Sequence, residues 1–291
     1  MSKQDTDKQP SRKTRSQGLR ILTAAEIPTL HELYKQGVLP AAPPNAVVPQ
    51  TVLGANPGPG GFRPSATLNK KIGVVHHDIT CLRVDAIVNP ANSYLSHGSG
   101  VALAIRNAAG SQLDAACRVV GYVATGDAAV TDAFNLHHCQ KVIHAVGPDL
   151  SNKGGNFATH ELNLQTSYIR SLERAVAGNL RTVAFPCISS GIFRYPQPPV
   201  TYGALAAVRD FLETHNNREH VDKIIFVLWS DDQIQNFFQY LPIYFPPTQK
   251  ELKKATQRLP VHLRHRPDIM IPDPAMAGRI EGTVLGTMEE K

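Results

Sequence analysis

From residue 66 onward, short apolar runs alternate with segments whose apolar residues recur at helical spacing. The runs predict strands at 71–75, 84–88, 128–133, 141–146, 182–188 and 223–229. The segments between them predict helices at 101–109, 112–120, 162–177, 202–215 and 233–240. Strands alternate with helices, and the strands are too uniformly apolar for a sheet with one wet face. We therefore expect an α/β fold, a three-layer α/β/α domain with a mostly parallel central sheet.

The two ends of the chain differ in composition from its middle. Capping boxes at Thr23 and Thr29 and a glycine stop at Gly37 predict a helix within residues 20–37. The stretch after it is dense in proline and glycine, which excludes regular structure. The expected organisation is a disordered basic tail at 1–18, a helix and Pro/Gly-rich arm at 19–65, the compact domain at 66–247 and a basic C-terminal tail at 248–291 that begins helical.

Composition limits the class of protein. Of the 291 residues 42% are apolar, which is enough for a buried core, and no run reaches the roughly 18 apolar residues of a membrane span. The N-terminus lacks the apolar core of a secretory signal. The four cysteines, Cys81, Cys117, Cys139 and Cys187, stand far apart without a C-x-x-C pair, so we expect reduced thiols and a cytoplasmic or nuclear location.

The net charge is +6, and much of the excess lies in the two tails. A basic tail can favour nucleic acid, but the aromatic interleaving of a single-strand binder is missing. We expect a solvated tail, with nucleic acid as an alternative partner through the tails only. We expect no metal site, since His76-His77 and His137-His138-Cys139 lack the paired spacing of zinc ligands.

Ligands of parallel sheets bind beyond the carboxyl ends of the strands, which directs attention to the loops 76–80, 89–100, 189–195 and 229–233. The second loop follows a strand, is rich in glycine and opens a helix, an arrangement in which backbone N–H groups and the helix dipole cradle a phosphate. The loop that begins Ser189-Ser190-Gly191-Ile192 has the same design. Two facing cradles suit a diphosphate.

Polar side chains in neighbouring loops extend this hypothesis. Asp78 can accept hydrogen bonds from an exocyclic amine such as that of adenine, and Asn92 can bond to ribose hydroxyls. Asn89 is expected at the same mouth as Asn92. A dinucleotide-binding oxidoreductase is disfavoured, because the third small position of G-x-G-x-x-G is occupied by Leu103 and the turn is long.

The sequence resembles a macrodomain, the ADP-ribose-binding α/β/α fold. The similarity is carried, in the family order, by Asp78-Ile79-Thr80, by Val84 to Asn92, by Gly98-x-Gly100-Val101 to Gly110, by Val142-Ile143-His144-x-Val146-Gly147-Pro148, and by Phe185 to Pro196. The N-terminal helix and arm are similar to the leader of MacroD-type proteins.

The resemblance implies a role for each loop. Asp78 and the backbone of Ile79 would bind adenine, and Trp229 or Ile234 would border it. The 98–102 loop would cradle one phosphate, and the 189–193 loop would hold the diphosphate and the distal ribose. Asn92 would hold the distal ribose, and Phe193 would pack on it. A half-buried core position is the alternative for Trp229. The implied ligand-binding residues are Asp78, Ile79, Asn92, Gly98, Ser99, Gly100, Val101, Ala102, Ser189, Ser190, Gly191, Ile192, Phe193 and Trp229.

The glycine loop departs from the MacroD-type pattern G-G-G-V-D-G-A-I-H. Ala102 stands where that pattern has its carboxylate, so the acid that orients the attacking water is missing. The segment from Asn92 to Gly98 is closer to coronaviral macrodomains and those of antiviral poly(ADP-ribose) polymerases, of which some remove ADP-ribose from acidic side chains, or phosphate from ADP-ribose 1″-phosphate, and others only bind. Asn92 and His97 are then the catalytic candidates, with loop packing as the alternative for His97.

Two functions are expected from these residues. One is an ADP-ribosyl hydrolase acting on mono-ADP-ribosyl esters of acidic side chains or a related ADP-ribose ester, and the other is a non-catalytic reader of ADP-ribose or ADP-ribosylated proteins. The partners would be ADP-ribose or mono-ADP-ribosylated proteins, with no cofactor and no membrane contact, and the protein is expected to be a monomer.

Overall fold

The computed structural model describes residues 20–53, 57, 61–151, 154–214 and 217–253. The strands are β1 Leu22–Thr23, β2 Ile72–His76, β3 Leu82–Ala91, β4 Ala128–Asp132, β5 Cys139–Val146, β6 Thr182–Pro186 and β7 Lys223–Leu228. They form one central sheet, whose main path has the order β2-β7-β6-β3-β5-β4. Only β4 runs antiparallel to its neighbour on this path, and the short β1 pairs with the start of β3.

Helices cover both faces of this sheet, which confirms the three-layer prediction. The helices are α1 Leu30–Lys35, α2 Ala66–Asn69, α3 Gly100–Ala109, α4 Ser111–Val120, α5 Phe157–Ala177, α6 Pro199–Glu213, α7 Asp231–Tyr244 and α8 Gln249–Leu252. The side chains of β7 alternate between the two cores: Ile224 and Phe226 join the core under α5, α6 and α7, whereas Ile225 joins the core under α3 and α4. Both faces are buried, as the uniformly apolar runs predict.

The N-terminal helix is shorter than predicted. The box at Thr29 and Glu32 caps α1 in both directions, and Gly37 follows the helix with a φ of 68°. The box at Thr23 was a wrong indication of a helix start. There the hydroxyl and the backbone N–H of Thr23 both donate to Glu26, at 2.8 and 2.9 Å, and close a turn after β1 instead.

The proline-rich arm wraps the domain. The Tyr244 hydroxyl donates to the carbonyl of Pro49 at 3.3 Å, and the backbone N–H of Leu53 donates to Gln165 on α5 at 2.6 Å. The backbone of the arm is too rich in proline and glycine to form strand or helix hydrogen bonds, and it bonds to groups of the domain instead.

Residues 249–252 form α8, which packs on the N-terminal part of the fold. Glu251 is 1% exposed, and its carboxylate bonds to His31 on α1 at 2.7 Å and to Asn69 on α2 at 3.2 Å. The start of the predicted C-terminal tail is therefore in contact with the domain. The predicted tail at 1–18, and the rest of the other tail from 254, lie outside the described residues. No helix in the described part of the chain combines the length and apolarity that a membrane crossing needs.

Candidate functional site

The carboxyl ends of five parallel strands lie side by side in the order β2, β7, β6, β3, β5. The loops that follow them meet along one edge of the sheet in that same order. The edge therefore presents Asp78 first, then Trp229, then the loop 187–193, then Asn92 and finally Gly147. Residues far apart in sequence are brought into one row by strand order alone.

The Asp78 end of this row carries one carboxylate and one exposed ring. Asp78 Oδ1 accepts from the backbone N–H and the hydroxyl of Thr80, at 2.9 and 2.7 Å, which caps a short 3₁₀ helix, Ile79–Cys81. Within the described residues no donor is recorded for its Oδ2. Trp229 is 56% exposed and tilts against the His76 ring at 6.3 Å. Trp229 is thus no core aromatic, whereas Ile234 is buried in the core.

The loop after β6 is held in a tight shape. Ser189 has a φ of 64°, a left-handed value that is uncommon for a residue with a side chain, and its buried hydroxyl has no hydrogen-bond partner among the described residues. The backbone N–H groups of Arg194 and Tyr195 close the loop on Gly191 and Ser189. Strained backbone of this kind concentrates at ligand sites.

Three neighbours fix the position of this loop. Gln233 on α7 donates to the Ser190 hydroxyl at 3.1 Å, and the Leu150 N–H donates to the Phe193 carbonyl at 2.8 Å. A Cβ on Gly147 would lie 2.3 Å from the Ser189 hydroxyl, so only glycine allows this approach. By contrast, a Cβ on Gly191 would meet nothing within 4 Å, and Ile192 beside it is 63% exposed. The loop is therefore held by protein contacts at Ser189, Ser190 and Phe193, whereas the space next to Gly191 is open.

The glycine loop is open in the same way. A Cβ on Gly98 or Gly100 would meet nothing within 4 Å, and Gly100 has a φ of 61°. Ser99 is the N-cap of α3 but makes no side-chain cap hydrogen bond. The first N–H groups of α3 are thus left for another acceptor, next to the half-buried Val101 and the buried Ala102.

The Asn92 side chain organises its own loop. Its carbonyl oxygen accepts from the backbone N–H groups of Tyr94 and Ser96, both at 3.1 Å, and its amide donates to the Ser96 hydroxyl at 2.6 Å. Asn89, expected at the same mouth, is instead fully buried inside β3 and faces His144. Strand alternation explains this correction, because β3 continues three residues further than predicted and buries Asn89 within the sheet.

His97 lies under the glycine loop with both ring nitrogens near protein groups. Nδ1 is 3.2 Å from Asp114 Oδ1, and Nε2 is 3.9 Å from the Cys117 sulfur. Arg106 holds Asp114 through two hydrogen bonds of 2.8 and 2.9 Å and lowers the pKa of that carboxyl. Burial lowers the pKa of His97, although the charge of Asp114 opposes this. With its side chain 3% exposed, His97 is poorly placed to give a proton to a substrate.

A cluster that the sequence analysis missed surrounds Cys117. His144 on β5 lies 3.7 Å from the Cys117 sulfur through Nε2, and this nitrogen also bonds to the Thr131 hydroxyl at 2.9 Å. Burial lowers the pKa of His144 to about 3 and raises that of Cys117 to about 11. Spacing could not reveal the cluster, because its members stand on a loop, a helix and a strand.

Known proteins share this architecture. The Macro domain family model matches residues 88–202. ADP-ribose glycohydrolase MACROD1 of Mus musculus is 40% identical over 185 residues, 64% of this chain and 56% of that protein. Macro domain-containing protein CT2219 of Chlorobaculum tepidum is 42% identical over 163 residues, 56% of this chain and 91% of that protein. The Trypanosoma brucei macrodomain in complex with ADP-ribose aligns with a TM-score of 0.55 and 27% identity, covering 72% of this chain and 86% of that one. The chain thus spans only about half the length of its MACROD1 relative.

Proposed function

The chain belongs to the macrodomain family, and from this premise we propose that it binds ADP-ribose and hydrolyses mono-ADP-ribosyl esters of acidic protein side chains or a related ADP-ribose ester. One observation carries the proposal. The row of strand ends runs from a carboxylate and an exposed indole to the open loop after β6, and then to the loop after β3, which carries both Asn92 and the open glycines Gly98 and Gly100. That order matches the order of groups in ADP-ribose, which are adenine, diphosphate and distal ribose.

Binding follows from the free groups in each loop. Asp78 Oδ2 accepts a hydrogen bond from the adenine amine, the backbone of Ile79 assists, and Trp229 covers the ring. The diphosphate lies between the loops 98–102 and 189–193, where open glycines allow close approach and uncapped N–H groups of α3 point at the charge. Phe193 packs on the distal ribose. No metal or cofactor is needed for this binding.

Hydrolysis is proposed to depend on positioning. Water attacks the anomeric carbon of the distal ribose as its bond to the carboxylate oxygen breaks, and the carboxylate leaves with the electron pair. The proton of the water passes to a phosphate oxygen of the substrate. Asn92 holds the ribose and the water, and the N–H groups of the two loops stabilise the oxocarbenium-like arrangement through the phosphates they hold.

The test measures release of ADP-ribose from a carboxylate-linked mono-ADP-ribosylated protein and of phosphate from ADP-ribose 1″-phosphate. Asn92→Ala is expected to abolish turnover and to weaken ADP-ribose binding, since it removes the group that positions the ribose. Asn107→Ala, at an exposed position of α3, is the matched control and should behave as the unchanged protein. Unchanged turnover in Asn92→Ala would overturn the assignment.

A reader function is the second candidate, and one residue favours it. Ala102 is a buried methyl group at the start of α3, where the MacroD-type pattern has a carboxylate. Tight ADP-ribose binding without release from either substrate would leave the reader as the function.

The proposed partners are ADP-ribose or mono-ADP-ribosylated proteins. The protein would meet them as a monomer in the cytoplasm or nucleus, where its four free cysteines would remain reduced.

A further inference from the structure

We propose that His97, Cys117 and His144 form a binding site for one Zn²⁺ ion beneath the glycine loop. The three donors come from three separate elements, which are the loop before α3, the helix α4 and the strand β5. One ligand atom from each side chain lies within 4.8 Å of the other two. This convergence is a property of the fold that no local sequence motif encodes.

The sulfur–nitrogen distances among these side chains are close to those of a tetrahedral zinc centre. The Cys117 sulfur is 3.9 Å from His97 Nε2 and 3.7 Å from His144 Nε2. With Zn–S of about 2.3 Å and Zn–N of about 2.0–2.1 Å, tetrahedral ligands place sulfur and nitrogen about 3.6 Å apart. Binding one ion would therefore shorten the two sulfur–nitrogen distances by a few tenths of an ångström. The two imidazole nitrogens, which lie within 4.8 Å of each other, would have to come to about 3.3 Å.

Neighbouring groups orient the two imidazoles as outer partners do in metal sites. Asp114 accepts from His97 Nδ1, which fixes the proton on that nitrogen and leaves the Nε2 lone pair facing Cys117. Arg106 in turn holds Asp114 with two hydrogen bonds. The Asn89 amide nitrogen donates to His144 Nδ1 at 3.0 Å, so the ring proton lies on Nε2, which donates to the Thr131 hydroxyl at 2.9 Å. Zinc binding through Nε2 moves this proton to Nδ1. The carbonyl oxygen of Asn89, which is buried without a partner among the described residues, accepts it once the amide turns over.

The chemistry of the donors selects the ion. Two neutral imidazoles and one thiolate suit zinc, whereas Mg²⁺ and Ca²⁺ require oxygen ligands. Binding replaces the thiol proton of Cys117, which leaves to solvent. The ion and the thiolate then carry a net charge of +1, which faces the carboxylate of Asp114. Three protein ligands leave the fourth position to water, and the bound ion ties the glycine loop to α4 and β5.

The test is direct metal binding by the full chain, read without any ADP-ribose. Co²⁺ replaces Zn²⁺ as a spectroscopic probe, because a thiolate ligand gives a cobalt charge-transfer band. Titration is expected to saturate at one equivalent with this band, and Zn²⁺ added afterwards should displace it. Cys117→Ser is expected to abolish the band, and Asp114→Ala to weaken zinc affinity about 10- to 100-fold by releasing the His97 ring.

Cys139→Ser is the matched control, since Cys139 is a second buried thiol whose recorded hydrogen bonds go to backbone carbonyls. It should leave the band unchanged. His97→Ala removes a ligand from the loop before α3 and leaves the packing of α4 and β5 in place, which keeps the test valid if Cys117→Ser fails to fold. Absence of the band in the unchanged protein, or its persistence in His97→Ala and Cys117→Ser, would overturn the proposal.

Discussion

Replacing Gly98 with valine separates ligand binding from folding. A Cβ at this position meets nothing within 4 Å, and the backbone of Gly98 is not in the left-handed region, so the free energy of unfolding should change by no more than about 0.5 kcal/mol. The branched side chain would instead occupy the space in front of the glycine loop. A hydrogen bond from a backbone N–H to a charged phosphate contributes about 1.5–3 kcal/mol. Losing one such bond corresponds to a drop in ADP-ribose affinity of about 10- to 100-fold.

Isothermal calorimetry with ADP-ribose and urea unfolding, run on the same preparation, measure the two quantities. Ala115→Val is the control, because it adds bulk at an exposed position of α4. Normal affinity in Gly98→Val would show that no phosphate approaches this loop. Parallel losses of affinity and stability would show that the space in front of the loop is needed for the fold itself.

Three further changes test other parts of the structure. Gly147→Ala places a Cβ 2.3 Å from the Ser189 hydroxyl and should lower the free energy of unfolding by about 1–3 kcal/mol. The loss is measured as a lower melting temperature, and an unchanged melting temperature would contradict this packing. Asp78→Asn keeps an acceptor for the Thr80 cap but loses the second carboxylate oxygen, so calorimetry should show weaker ADP-ribose binding with unchanged stability, and equal affinity would refute the adenine contact. Burial by itself would raise the pKa of Glu251, but hydrogen bonds led by those of Thr248 lower it below its usual value of 4.5. The ionised carboxylate therefore stabilises the fold above about pH 4.5, and this contribution is lost as the pH falls through the lowered pKa. Urea unfolding between about pH 6 and pH 3 should therefore show a smaller acid loss in Glu251→Gln, and identical acid losses would disprove the linkage.

The sheet and its helices were predictable because both faces of the sheet are buried. Runs such as the one at β7 leave no polar alternation, and helices on both sides follow from that pattern. Element ends were less predictable, because tertiary contacts decide them. The helix α7 runs past its predicted end at Tyr240 and through Pro242, and β3 extends to Ala91 beside β5.

The site was predictable in its loops but less so in its side chains. Strand ends carry their loops to one edge in any parallel sheet, so Asp78, Asn92 and the loop at Ser189 could be placed before the structure was known. Their present partners were harder to predict. Asn92 accepts from the N–H of Tyr94 two residues on, which is a common local pattern of asparagine, but its bond to the N–H of Ser96 depends on the path of the loop. The neighbourhood of His97 depends on helix packing, which spacing along the chain does not describe.

The contact between α1 and α8 restricts the order in which parts of the protein can fold. His31 and Glu251 are separated by 220 residues, and Asn69 shares the same carboxylate. An N-terminal helix of six residues is too short to persist alone in water, so α1 depends on its surroundings for stability. On the ribosome α1 emerges before α8, so its hydrogen bond to Glu251 cannot form until the last described helix has been made. We expect closure of this contact to be a late step of folding, completed after the sheet has assembled.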